Sequence, residues 1–381
     1  MTASTWYARY VPSWLTPRVL TYLRWTAIAV WAGFFGNYIA DNGIPYLRSD
    51  LLMWLAIGLV AASIGKRNVL FVLLDFIPLA AVLVVYDYLR GLSDSLGMPT
   101  WWHPQVDLDR LLFFGHEPTV WLQEQLKYPN VQWWDVLVAL CYISFFFLPY
   151  VTAAALWLRS RRDFYRWSLR FVALSFIAFV FFALTPAAPP WAASQCLPSE
   201  IADHPYDPPC MYYDPQYIHN GGLLGPMTSH VPGANPWVER IATRGLGPLH
   251  LHFAQQVIDT GRISADAVAA IPSLHAGGIL LFSIFMWRRV SKWWRPVLVV
   301  YPLFMGFTLV YSAEHFVTDV LAGWLGAVLV CFAAARIERR RKTRAATDTL
   351  EAPTEPTVEN PCPPTDQPPS TPPGAMTPSS T

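Results

Sequence analysis

The chain has 381 residues, of which 54% are hydrophobic, 15% aromatic and only 14% charged, and its formal net charge is +1. Such a composition is too apolar for an ordinary soluble protein. The near-neutral charge excludes nucleic-acid binding by bulk electrostatics, so the lipid bilayer is the expected surrounding and no nucleic acid the expected partner.

In chain order, apolar stretches that approach the roughly 20 residues a helix needs to cross a bilayer fall at about 24–40, 49–65, 69–89, 133–158, 169–187, 272–288, 296–313 and 314–336. The second and seventh are short or interrupted. They predict an all-α fold, a polytopic transmembrane helical bundle of about eight spans. Of the 27 Lys and Arg, all but Arg48, Arg90, Arg110, Lys127, Arg240, Arg244 and Arg262 lie in or beside the N-terminus, 65–68, 159–170, 288–295 and 336–344. These are alternate segments of the eight-span layout, which the positive-inside rule places in the cytoplasm. Both termini are therefore expected there, in an integral plasma membrane protein. The first apolar run follows Arg9, Arg18 and Arg24 and reads as a signal anchor.

The expected organisation has three parts. Residues 1–68 hold an N-terminal cytoplasmic segment and two spans, residues 69–337 form the main membrane domain, and residues 338–381 are a basic flank and tail. Between the third and fourth spans, LDRLLFFGHEPTVWLQ is apolar in patches too short to span, and reads as an interfacial or re-entrant helix. The outer loop 188–271 is rich in Pro, Gly, His and Tyr and opens on APPW (Ala188, Pro189, Pro190, Trp191), which favours an ordered lid over a floppy connection. From about 345 the chain is rich in Thr and Pro, cannot bury a core, and is expected to be disordered. Cys196 and Cys210 share the outer loop, where a disulfide is one outcome, whereas Cys141 and Cys331 lie in spans as small packing residues.

Ionisable residues at a membrane edge are functional candidates because burying them is costly. In IPSLHAGG (271–278), Pro272 suits a first helical turn, Ser273 suits the cap, and Ala276, Gly277 and Gly278 keep that turn bare. A helix N-terminus favours an anion such as phosphate, and His275 would meet it. The plainer reading is a capped helix whose histidine touches water. In YSAEHFVTDVLAG (311–323), His315 and Asp319 are i and i+4 on one helix and can hydrogen-bond, while Gly323 leaves room for close packing. A carboxylate on one imidazole nitrogen makes the other more nucleophilic. The plainer reading is a polar pair that ties two helices together.

Topology joins the two segments. Between His275 and His315 the chain makes two crossings and a turn at Arg288, Arg289, Lys292 and Arg295, so both histidines return to the same face and depth. Two histidines and a carboxylate can hold a metal, an option that the lack of HExxH and of further neighbouring ligands disfavours. The other option is a nucleophile and an acid, both of which histidine supplies near neutral pH.

PSLHA followed about 40 residues later by HxxxD resembles the second and third signatures of the type 2 phosphatidic acid phosphatase superfamily. With APPW and AxPSLHAG…YxxxHFVxD it is most similar to the inositol phosphorylceramide synthase branch, called inositolphosphotransferase-like. The resemblance covers roughly residues 70–337 and is specific in the last third. It implies a six-helix core, a covalent phosphoryl group on His315, and no metal or cofactor. Asp319 would polarise that histidine, His275 would protonate the departing alkoxide, and backbone N–H groups near Ser273 and Leu274 would cradle phosphate oxygens. The substrate implied is a phospholipid or polyprenyl phosphate, with a polyol as possible acceptor.

The chain departs from the family pattern in places. The first signature, KxxxxxxRP, is missing before PSLH; Thr308 and Leu309 stand where Ser and Arg would be; Glu314 stands where the synthase branch often has a second histidine. Some other cation should then supply charge, and Arg90 and Arg110 are the candidates. His204, Asp207, Asp214, His219, His230, His250 and His252 are scattered in the outer loop, where they could line an acceptor pocket or simply be solvated. A phosphotransferase, a phosphatase of the same fold that uses water as acceptor, and a non-catalytic transporter or scaffold are the functions in contention.

Overall fold

A computed structural model of the protein describes residues 16–42, 48–66, 69–89, 96–206, 208–213, 221–251, 255 and 268–351. Among them the long elements are all helical: α1 (Pro17–Asn42), α2 (Arg48–Ser63), α3 (Val69–Leu89), α4 (His103–Leu112), α5 (Pro118–Leu126), α6 (Trp133–Arg159), α7 (Arg161–Leu184), α8 (Leu274–Met286), α9 (Arg295–Tyr311) and α10 (Val317–Glu351). Each expected span coincides with one of these helices. Extended pairing among the described residues is limited to isolated bridges joining Trp101 to Ala187 and Ala187 to Ala269. By length and apolarity, Pro17–Asp41, Trp133–Arg159, Arg161–Leu184, Lys292–Tyr311 and Val317–Arg344 can each cross a membrane, and Met53–Ser63 and Leu274–Met286 are shorter apolar helices. The protein is an all-α, polytopic integral membrane protein.

Three boundaries differ from the expected ones, each for a local reason. α7 begins at Arg161 because the Ser160 hydroxyl accepts a hydrogen bond from the Asp163 N–H, an N-cap that draws the basic stretch into the helix. Pro272 lies before the cap of α8 instead of in its first turn, and the Ser273 hydroxyl accepts from Ala276 N–H at 3.3 Å. α10 continues through Glu351, past the point at which the tail composition begins, since the first proline after it is Pro353. The chain divides into two compact units, 1–334 and 335–381. In the second, the described part is the helical continuation to Glu351, and the remaining tail and Cys362 lie outside the described residues.

In the first unit, α6, α7, α8 and α9 pack against one another, α3 joins through α7, and α1 and α2 form a hairpin that reaches α3. One buried core holds Trp157, Phe164, Trp167, Phe171 and Phe179 with Leu281 of α8 and Ala327 of α10. Near the start of α7, the guanidinium of Arg161 donates to both oxygens of the buried Asp75 of α3, at 3.0 and 2.6 Å, which fastens α3 to the bundle.

A separate apolar core caps the other end. It gathers Trp102 and Val106 of α4, Val120 of α5, Ala188, Ala192 and Cys196 of the long loop, and Ala313 and Phe316 beside α10. Cys196 and Cys210 are joined in a disulfide and are fully buried there. The described part of loop 188–271 is thus an ordered cover, as the aromatic and proline content led one to expect. The bridges at 101, 187 and 269 set its entry and exit side by side, just before Pro272.

Candidate active site

Two helices carry the motif residues, and they meet backbone to backbone. An added Cβ at Gly323 of α10 would lie 2.2 Å from the Ser273 carbonyl oxygen, and one at Gly277 of α8 would lie 2.7 Å from the Gly323 carbonyl oxygen. Only glycine permits this approach. The Ser273 N–H donates to the Asp319 carbonyl at 3.0 Å, so the start of α8 is stitched to the first turn of α10. Gly278 serves a similar purpose, since a Cβ there would lie 2.9 Å from the Phe145 ring. The small residues expected to leave a bare anion-binding surface instead admit a neighbouring backbone and an aromatic ring.

The contact brings the expected residues together. The rings of His275 and His315 are 5.6 Å apart, centroid to centroid. Asp319 is fully buried, and its Oδ2 lies 3.5 Å from His315 Nδ1 and accepts the Phe316 N–H at 2.9 Å. Nδ1 of His315 therefore faces the carboxylate, and Nε2 is the nitrogen left for chemistry. His275 sits among three rings of α6: Tyr142 at 5.2 Å, Phe145 at 4.3 Å and Phe146 at 5.5 Å. Among the described residues, no group of three or more His, Cys, Asp or Glu side chains is arranged to hold a metal ion.

The turn that carries His315 is tightly constrained. Ala313 takes a left-handed backbone conformation, φ 61°, which costs a non-glycine residue energy and is held by packing. The N–H groups of Glu314 and His315 both donate to the Leu309 carbonyl, at 2.9 and 3.2 Å, and Trp191 N–H donates to the Ala313 carbonyl at 3.1 Å. The APPW segment is thus tied directly to the turn that carries His315.

The sequence reading missed Asp109. This buried carboxylate accepts the N–H groups of Val317 and Thr318 at 2.8 and 2.9 Å, and the Thr318 hydroxyl as well. With Asp319 it occupies the positive N-terminal end of α10, the favourable place for negative charge. Burial pushes its carboxyl above the usual range, against the pull of those hydrogen bonds. Periodicity held a clue: Gln105, Val106 and Asp109 share the buried face of α4. Nearby, burial and the charge of Asp109 push the Glu117 carboxyl up to about 8.

The expected phosphate cations fare differently. Arg90 lies outside the described residues. Arg110 turns to the Leu223 carbonyl at 2.7 Å and lies 3.6 Å from Glu117. Thr308 and Leu309, in place of Ser and Arg, are fully buried. The Ser273 N–H, expected to cradle phosphate, is committed to Asp319, so Ser273 positions the helix. Among the described residues, a cation does reach the turn that carries His315: Arg240, whose Nε and Nη2 donate to the two carboxylate oxygens of Glu314 at 3.0 and 2.9 Å. Of the scattered loop residues, His230 pairs with Gln125 at the exposed surface, and Asp207, Asp214, His219 and His252 lie outside the described residues.

Fold and site together define a membrane-embedded helical enzyme whose paired histidines and carboxylate are suited to phosphorus chemistry. The PAP2 superfamily profile matches residues 105–333, and the chain belongs to that superfamily, as a phosphotransferase or phosphatase. It is similar to a phosphoinositol dihydroceramide synthase of Bacteroides thetaiotaomicron, with 26% identity over 288 residues covering 73% of this chain and 81% of the relative. No solved structure matches it.

Proposed function

We propose that the protein is a lipid phosphotransferase that moves an inositol phosphate-type head group from a lipid donor to an acceptor through a phosphohistidine. The observation that carries this reading is the 5.6 Å approach of the two imidazoles, with Asp319 behind only one of them. Nε2 of His315 attacks phosphorus, and the bond from phosphorus to the donor's lipid alkoxide oxygen breaks. His275 gives its proton to that oxygen, and the lipid alcohol leaves. Asp319 orients His315 and offsets the positive charge on its ring. In the second half-reaction His275 takes the proton of the acceptor hydroxyl, whose oxygen attacks phosphorus. The phosphorus–nitrogen bond then breaks and returns its electron pair to His315. The backbone N–H of Leu274, at the start of α8, is the proposed phosphate-facing donor of that turn.

Several observations support a lipid substrate handled at the outer face. The site adjoins the spanning helices, and beside the start of α10 lies an apolar groove of about 490 Å³ lined by Trp121, Leu303, Phe307, Val320 and Trp324. Arg and Lys are concentrated on the segments opposite the site, and the Cys196–Cys210 disulfide suits an oxidising compartment. The same evidence supports cytoplasmic termini and a plasma-membrane location.

The test is turnover in proteoliposomes with phosphatidylinositol as donor and dihydroceramide or free polyols as acceptors. A new inositol phosphate-bearing product that is missing with His315→Ala is expected, together with acid-labile, base-stable phosphate on the wild type alone. Activity should persist in EDTA. Glu314, in the place of a branch histidine, favours one competing reading, a phosphatase. Free phosphate or inositol phosphate as the sole product, whatever the acceptor, would establish that instead.

A further inference from the structure

Loop 188–271 delivers one cation to the turn that carries His315, and it fixes that cation from both sides. Gln123 of α5 brackets Glu239: its Oε1 accepts the Glu239 N–H at 2.9 Å, and its Nε2 donates to the Glu239 carbonyl at 2.8 Å. The same Nε2 donates to the carbonyl of Tyr311, the last residue of α9, at 2.9 Å. Lys127, itself buried, donates to the Trp237 carbonyl and pairs with Glu239 at 3.1 Å. Val238, Ile241 and Ala242 are buried around it. The backbone at Arg240 is therefore held rigidly, yet its side chain remains 29% exposed.

That side chain lies between two groups attached to the catalytic turn. The guanidinium carbon sits 4.9 Å over the ring of Trp191, whose N–H bonds Ala313. Nε and Nη2 are engaged by Glu314, the residue before His315. A guanidinium has five N–H groups in one plane, so a bidentate carboxylate takes two and leaves three along its outer edge. That edge can grip two phosphate oxygens in the fork geometry for which arginine is suited. Among the described residues, Arg244 binds Asp135 at 2.6 Å, Lys127 binds Glu239, and Arg110 turns to Leu223, so these outer-side cations are spoken for.

We propose that Arg240 is the phosphate-binding cation of this site, and that Glu314 both positions it and offsets its charge, so that the site selects a singly charged phosphodiester over a doubly charged phosphomonoester. The proposal rests on the phosphohistidine reading above and specifies its substrate class. Charge builds on the non-bridging oxygens as phosphorus is attacked, and a preorganised donor there is worth a large factor in rate. A guanidinium whose charge is offset by a carboxylate still offers its remaining N–H donors to the non-bridging oxygens of a monoanion, but has little excess positive charge with which to hold a dianion. A dianion would call for more positive charge than the pair supplies.

The experiment uses the full chain in proteoliposomes with phosphatidylinositol and phosphatidate of matched acyl chains, comparing wild type, His315→Ala, Arg240→Ala, Arg240→Lys and Glu314→Gln. On the diester, Arg240→Ala should lose about 10²–10³-fold in kcat/KM, mostly in kcat. Added guanidinium should restore part of this loss, whereas Arg240→Lys should recover less and His315→Ala nothing. Glu314→Gln, which keeps one acceptor but removes the negative charge, should raise the monoester-to-diester ratio of kcat/KM about tenfold. If Arg240→Ala stays within about threefold of wild type while His315→Ala is dead, this proposal is wrong and the phosphohistidine reading stands. Should His315→Ala turn over normally, that reading itself fails. If Arg240→Ala misfolds by size-exclusion chromatography, the Glu314→Gln ratio decides, and an unchanged or lowered ratio overturns the proposal.

Discussion

The crossing of α8 and α10 and the cap above it are built by different means. At the crossing, backbone touches backbone: Gly323 lies against the Ser273 carbonyl, Gly277 against the Gly323 carbonyl, and one hydrogen bond runs from Ser273 N–H to the Asp319 carbonyl. In the cap, side chains reach over long sequence separations to hold backbone, as Asp109 does at the start of α10 and Gln123 does at Glu239 and Tyr311. Backbone contacts leave little rotamer freedom, so His275 and His315 are placed with small tolerance. Long polar side chains set the local charge, which can vary without moving the helices. In our reading the crossing supplies the chemistry and the cap tunes what enters it.

The comparison can be broken or sharpened by substitution, beginning where the effect should be greatest. His315→Ala should lower turnover by about 10⁴-fold or more while the protein still folds, since the proposed nucleophile is lost and the crossing is untouched. Asp319→Asn should cost about 10²–10⁴-fold in kcat, because the wrong tautomer or a weaker partner would face Nδ1. Turnover near wild type in either variant would break the assignment. Gly323→Ala tests the crossing itself. The new Cβ would lie 2.2 Å from the Ser273 carbonyl, so a loss of about 1–3 kcal/mol in unfolding stability should accompany a fall in activity.

Effects in the cap should be gentler and depend on pH. Glu117, pushed up to about 8 when folded against an ordinary value of 4.5, holds its proton across the neutral range. Between those values the unfolded chain ionises and the folded one does not, so wild-type stability falls as pH rises through that window. Glu117→Gln removes the penalty, and its advantage in thermal unfolding should widen from pH 5 to pH 8. A constant gap would show that burial does not hold the carboxyl protonated. Smallest of all is Arg110→Ala: the side chain is 37% exposed and lies 3.6 Å from Glu117, so stability should change by less than about 1 kcal/mol, with kcat nearly unchanged. A large loss of kcat would move the phosphate cation from Arg240 to Arg110.

Much of this architecture could be read from local stretches of sequence. A span is a property of about 20 consecutive residues, so every expected span has its helix; the boundaries slipped where a single cap, such as Ser160, set the start. His315 and Asp319 announced themselves by their i, i+4 spacing, and Gly323 by its place on the same face. Asp109 and Arg240 did not. Nothing within a few residues of Asp109 marks it as the cap of a helix 208 residues away, and the neighbouring arginine drew attention because phosphate calls for a cation. The buried face shared by Gln105, Val106 and Asp109 was the available sign that Asp109 points inward and Arg110 outward.

By itself, the sequence determined a membrane-spanning helical chain with two motif-bearing helices whose polar ends lie on one side. Composition, the distribution of basic residues and the i, i+4 pair are all short-range properties. Only the tertiary structure decided which cation pairs with Glu314, which carboxylate caps α10 and which rings surround His275. Those contacts join residues far apart in the chain, and their partners are selected by packing geometry, which no local pattern encodes.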